Sequence, residues 1–158
     1  MTDGAADRQV VMTMSERQAQ SMGLALELLM RVGIGQFEYI GEIARMGVLS
    51  ESAPADRPRK EASLETCQQL DAVLTLAKGT LGHPPHGSFG IHHAHVGVDA
   101  KNAYELLCVL RQALAIAREQ EAPAAARGVA HRGLTARVTG ERAPKARVES
   151  GAGGPGMS

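Results

Sequence analysis

The amino-acid sequence predicts an α+β fold, mainly helical, with about four helices and a small antiparallel β-sheet or hairpin. Three observations carry that expectation. Apolar residues recur at helical spacing in several separated stretches. Serine caps and glycine or proline stops bracket those stretches. Short runs rich in Val and Thr near both ends read as strands, and the later one alternates with period two.

Residues 1–7 are small and polar and read as a disordered N-terminus. Gln9-Val-Val-Met-Thr-Met14 reads as a short strand. Ser15-Glu-Arg-Gln18 fits a capping box, with Ser15 as N-cap and Gln18 reaching back to it. In the first helix Leu24, Leu28, Arg31 and Val32 share a face, and Leu26, Leu29 and Met30 widen it. That face is broad enough for burial on more than one side, as at a helix–helix or subunit contact. Gly33-Ile-Gly35 then interrupts the pattern. Each glycine weakens a helix by about 1 kcal/mol relative to alanine. The stretch is either a break between helices or a place where a backbone or ligand approaches closely. Helical spacing resumes through Phe37, Ile40, Ile43 and Ala44, with Gly47 as the stop.

Ser50 to Arg59 carries prolines and charges without periodicity and reads as a surface loop. Ser63 caps the next helix, with Glu65 in its first turn. Cys67, Leu70, Val73, Leu74, Ala77 and Leu81 form its expected apolar stripe, and Gly82 and Pro84 end it. Asp99 is the expected N-cap of the last helix. Its buried face comprises Ala103, Leu106, Leu107, Leu110, Ala113, Leu114 and Ala117, with Asn102, Tyr104, Arg111 and Arg118 off centre. An alanine-rich linker follows over 122–126. Gly128-Val-Ala-His131 and Leu134-Thr-Ala-Arg-Val-Thr139 flank Arg132-Gly133 and read as a β-hairpin. On its second strand Thr135, Arg137 and Thr139 face away from Leu134, Ala136 and Val138. Residues 142–158 read as a disordered, basic, Gly-rich tail, which leaves one ligand-binding domain over 8–141.

Lys+Arg and Asp+Glu are both 17, so the formal charge is zero. A neutral chain argues against bulk electrostatic binding to duplex DNA and leaves room for a local basic pocket. Cys67 and Cys108 lie in apolar helical patterns and read as buried thiols, with no sign of an oxidising compartment. No signal peptide and no apolar run long enough to span a bilayer is evident, so the expected location is the cytoplasm, with no membrane partner.

The richest stretch is Gly82-His-Pro-Pro-His-Gly-Ser-Phe-Gly-Ile-His-His-Ala-His95. A long Gly-bearing connector that runs into a helix start is a setting for anions, and also an ordinary solvated cap between two helices. Its five histidines, His83, His86, His92, His93 and His95, supply enough imidazole for zinc or nickel. No His-Glu-x-x-His helix accompanies them, and neither cysteine lies at ligand-like spacing, so no native metal or other cofactor is expected. Ser88 sits in Gly-Ser-Phe-Gly, which is not the Gly-x-Ser-x-Gly elbow. With no P-loop and no dinucleotide fingerprint, the chain reads as a binder rather than an enzyme. Phe89 offers a face for a base, and Arg31, Arg111 and Arg137 suit phosphates. Asn102 can read a base edge or a ribose hydroxyl. Together these suit a compact phosphorylated nucleotide better than a long polymer.

Arg31-Val-Gly-Ile-Gly-Gln-Phe-Glu38, Pro84-Pro-x-Gly-Ser-Phe-Gly-Ile91 before a Tyr-bearing helix, and Arg137-x-Thr-x-Glu141 resemble small phage and prophage proteins. The family they resemble is the first type of Thoeris anti-defence sponge, over about residues 15 to 141. That resemblance implies a phage protein in the bacterial host that sequesters a cyclic ADP-ribose signal without cleaving it. It implies dimers or higher homo-oligomers, some of which also hold cyclic oligonucleotides at separate sites. By the same resemblance Arg31, Phe89, Gly90, Arg137, Thr139 and Glu141 contact the ligand, and Asn102 matches the pattern less closely. The alanine-rich linker and the basic tail depart from a minimal member of the family. The alternatives are a protein-binding inhibitor of a host defence complex and a metal-dependent hydrolase. Extensive chelation separates the last of these from the others. It is expected to leave melting temperature and ligand uptake unchanged, and loss of either promotes the metal reading.

Overall fold

Local capping chemistry sets the helix boundaries. The Gln18 N–H donates to Ser15 Oγ at 3.2 Å, and the Ser15 N–H donates to Gln18 Oε1 at 2.8 Å. This capping box starts α1, Glu16–Gly33. After it come α2, Glu38–Arg45, then α3, Leu64–Thr80, behind the Ser63 cap, and α4, Val98–Glu121. Asp99 lies in the first turn of α4 rather than at its cap. The first three helices end alike, on Gly35, Gly47 and Gly82 with φ of 90°, 69° and 78°. The next residue in each case returns its N–H to the last turn: Gln36 to Arg31 O, 2.8 Å; Val48 to Ile43 O, 3.0 Å; His83 to Lys78 O, 3.1 Å. The left-handed backbone needed for that return favours glycine, and it satisfies carbonyls that the helix end would orphan.

The computed structural model describes residues 10–49, 63–121 and 135–149. The expected disordered start, the loop Ser50–Arg59, the linker over 122–126, the first hairpin strand and the end of the tail from 150 lie outside the described residues.

α1 and α4 run antiparallel. Gly33 lies against Ala100, Gly23 beside Leu107 and Leu110, and Glu16 pairs with Arg118 at 2.9 Å. A side chain at Gly33 would overlap the Ala100 methyl. Gly33-Ile-Gly35 is therefore both a helix break and a close backbone approach. Met30, Ile34, Val96, Ala100, Ala103 and Leu107 form the buried cluster between these helices. Phe89 and Ile91 from the long loop, with Leu26 and Tyr104, close its edge. α2 packs on α3 and touches α1. Ile43 and Cys67 are almost wholly buried there, and both cysteines are thiols. Among the described residues, no helix is long and apolar enough to cross a membrane.

The α+β expectation is corrected. The described residues hold four helices and no strand. Val10 to Met14 takes no strand, and Val10 and Val11 are each 85% exposed. A lone extended run has no ladder to satisfy its backbone, and none of the described residues pairs with it as a strand. Thr135 to Thr139 is likewise not a strand. The Val138 and Thr139 N–H groups donate to a side-chain carboxylate of α4 instead of to a neighbouring strand.

Gly33→Ala is expected to destabilise by about 1–3 kcal/mol through overpacking, although alanine favours helix by about 1 kcal/mol. Ala100→Gly in the same chain should recover part of that loss. Thermal and urea unfolding of the two single variants and the double variant measure it. A Gly33→Ala protein as stable as the parent sinks the close-approach account.

Candidate functional site

Several sequence-predicted residues gather where the second half of α1 packs along α4 and meets the long loop. Arg31 lies one turn beyond Glu27 and pairs with it at 3.2 Å. Its guanidinium also donates to Gln36 Oε1 at 2.6 Å and lies over the Tyr39 ring, 5.4 Å from the centroid. Arg111 of α4 reaches the other Glu27 oxygen. Burial pushes the Glu27 carboxyl up, but Arg111, the Tyr39 hydroxyl and Arg31 hold it below the ordinary 4.5. The Tyr39 hydroxyl is pushed up, by burial and by its hydrogen bond to that carboxylate. Two guanidinium groups on one carboxylate leave one uncompensated positive charge. The Arg31 side chain remains 38% exposed, so part of that charge faces water.

The long loop is tied to this region. Gln36 Nε2 donates to Ser88 Oγ at 3.4 Å, and the Phe89 N–H donates to Ile34 O at 2.8 Å. Phe89 is half-buried against the core cluster. One of its faces stacks on His93, with centroids 4.5 Å apart and planes at 14°. His83 stands between it and Phe37, tilted at 5.7 Å and edge-on at 5.4 Å. A base that stacks on Phe89 has to displace His93 or use another surface. The Gly90 carbonyl accepts from the His93 N–H at 2.8 Å, and nothing lies within 4 Å of where a Gly90 side chain would stand. Among the described residues, no group of three or more His, Cys, Asp or Glu could hold a metal ion.

The C-terminal motif is gathered separately, by Glu105 of α4, a residue that sequence reasoning missed. Glu105 is 2% exposed. Its Oε1 accepts from the Val138 and Thr139 N–H groups, each at 2.6 Å, and from Thr139 Oγ1 at 3.0 Å. Its Oε2 lies 3.5 Å from Arg137 Nε. Arg137 also donates to the Glu141 carbonyl, and the Glu141 N–H donates to Thr139 Oγ1 at 3.3 Å. Burial pushes the Glu105 carboxyl up, but the backbone donors, Thr139 Oγ1 and Arg137 together hold it below 4.5. Successive N–H groups of residues 138 and 139 thus form an anion cradle already filled by the chain's own carboxylate. Asn102 stands half-buried one turn before Glu105 on α4. One signal for Glu105 was available in the sequence, an acid beside the apolar Ala103 and Leu107 positions. Its partners lie more than 30 residues away, which no local pattern shows.

A cleft of about 270 Å³ opens between α2 and α3. Phe37, Leu74 and Pro85 supply its apolar lining, and Glu38, Asp71, Thr75 and Lys78 its polar lining. None of the predicted ligand contacts lines it. α3 turns Cys67, Asp71, Leu74 and Lys78 inward, whereas Val73 and Leu81 of the expected stripe are 63% and 65% exposed. Comparison with protein-family models, with curated proteins and with solved structures finds no match.

The Glu105 clamp makes a pH-dependent prediction. Its carboxyl is lowered on folding, so its stabilisation is complete above about pH 4.5 and is lost as pH falls through the depressed value. Glu105→Gln should cost about 1.5–3 kcal/mol at neutral pH. Urea unfolding of parent and variant from neutral to acid pH should show that difference shrinking below pH 4.5. A difference that stays constant across the range removes the charged clamp.

Proposed function

We propose that the protein is a non-enzymatic sponge that captures a cyclic nucleotide immune signal of the cyclic ADP-ribose type and holds it intact. The reading places it in the bacterial host cytoplasm as a phage anti-defence protein of the Thoeris sponge kind that its motifs resemble. It works as a homo-oligomer, without a cofactor, with cyclic oligonucleotides as a second ligand class. The observation that carries the reading is the Arg31–Glu27–Arg111 arrangement. It presents an oriented, partly exposed guanidinium with one charge to spare, suited to phosphate contact through its terminal nitrogens. Gln36, Ser88 and the Tyr39 ring stand beside it with further polar and aromatic contacts.

Self-association is supported by large apolar side chains left exposed on α1 and α4, Leu29 at 48% and Leu106 at 45%. Large exposed apolar patches mark interaction sites. The same feature favours the second reading, a protein-binding inhibitor, because Leu64 and Leu76 of α3 are 74% and 75% exposed.

Nanomolar capture needs about −12 kcal/mol. Calorimetry against cyclic ADP-ribose isomers is the test, with mass spectrometry of the compound released on heating. The parent should bind and release the ligand unchanged, and light scattering at micromolar concentration should give more than a monomer mass. Arg31→Ala should weaken binding at least tenfold while the fold persists, because Arg111 still neutralises Glu27. Phe89→Ala is a poorer probe, since Phe89 also packs on the core. A parent that binds no nucleotide removes the sponge reading and promotes the protein inhibitor.

A further inference from the structure

The α2–α3 cleft has a chemistry that the nucleotide reading leaves unused. Asp71, Leu74, Thr75 and Lys78 follow one another along a single stripe of α3, at helical spacing i, i+3, i+4 and i+7. Seven residues of helix rise about 10 Å, and the lysine side chain leans back toward the helix N-terminus, which shortens the span between the charges. Lys78 is only 6% exposed as a residue and its side chain forms no hydrogen bond or ion pair among the described residues, while its ammonium keeps an opening to water. Its place in the last turn of α3 suits the helix dipole, but the dipole does not account for an ammonium set in a cleft. At the other end the Asp71 carboxylate enters where Gly41 of α2 carries no side chain. Its Oδ1 is sealed from water against Gly41 without a hydrogen-bond partner among the described residues, which leaves the other carboxylate oxygen to meet a ligand. Glu38, in the first turn of α2, adds a second carboxylate to the lining. Between the charged ends lie Leu74, Phe37 and Pro85.

Holding a charge largely out of water without a partner is costly, and two opposite charges held two turns apart cannot satisfy each other directly. A ligand that brings both counter-charges does so at once. We propose that this cleft binds a small dipolar, amino-acid-like molecule, its ammonium at Asp71 and Glu38, its carboxylate at Lys78, and its aliphatic stem against Leu74 and Phe37. The volume of about 270 Å³ suits such a metabolite, and lies below the roughly 300–1,000 Å³ of drug-sized ligand sites. The site is separate from the arginine network, so it stands or falls independently of cyclic nucleotide binding.

Probes with matched stems and different ends test it on the parent protein. ε-Aminocaproate and L-lysine carry both charges, cadaverine only ammonium groups, and adipate only carboxylates. Calorimetry and thermal shift at up to millimolar concentration should show saturable binding of ε-aminocaproate or L-lysine, at least tenfold tighter than cadaverine and adipate. Asp71→Asn and Lys78→Met should each weaken that binding at least tenfold, and Lys78→Met keeps the packing of the stem. Should either variant fail to fold, charge selectivity in the parent decides alone. No binding of either two-ended probe, equal binding of cadaverine or adipate, or folded variants that bind as the parent does each overturns the proposal.

Discussion

The close approach of α1 to α4 at Gly33 and Ala100 governs the rest of the molecule. With no side chain between them, the end of α1 and the start of α4 come together over Met30, Ile34, Ala103 and Leu107. That leaves one open edge, which the long loop closes by placing Val96 in the core and Phe89 and Ile91 against it. The Phe89 N–H then finds the Ile34 carbonyl, which the end of α1 leaves without an intrahelical partner. A loop rich in glycine, proline and histidine thus acts first as the cover of a small core. Whatever it binds, it binds from that anchored position.

One buried and one half-buried carboxylate organise the polar surface around this frame. Glu27 holds two arginines and a tyrosine hydroxyl, and Glu105 holds two backbone N–H groups, a threonine hydroxyl and an arginine. Each acid is taken out of water at a cost that several donors together offset. The two clusters leave different opportunities. At Glu27 positive charge is in excess and partly exposed. At Glu105 the donors are already used, so Arg137 and Thr139 meet an external anion only by sharing or releasing that carboxylate. A ligand site that uses both clusters has to reorganise the second.

The α2–α3 side is built differently, with Lys78 and Asp71 facing a cleft and large apolar side chains facing out. α3 faces its neighbours with Asp71 and Lys78 beside Cys67 and Leu74 and exposes leucine and valine, a partial reversal of the usual partition.

Sequence alone determined what depends on neighbours a few residues apart. The Ser15–Gln18 capping box, the Ser63 cap and the glycine stops at Gly47 and Gly82 were legible because capping is chemistry within one turn. The break at Gly33-Ile-Gly35 was legible too, though not that Ala100 is what approaches it. Tertiary structure decided the rest. The apolar spacing of α3 admits more than one buried face, and packing against α2 selected the one bearing Asp71 and Lys78. The alternation of Thr135 to Thr139 reads as a strand, but period two states only which side chains share a face. What the backbone N–H groups of 138 and 139 pair with is a long-range matter, and Glu105 reached them with a charged acceptor.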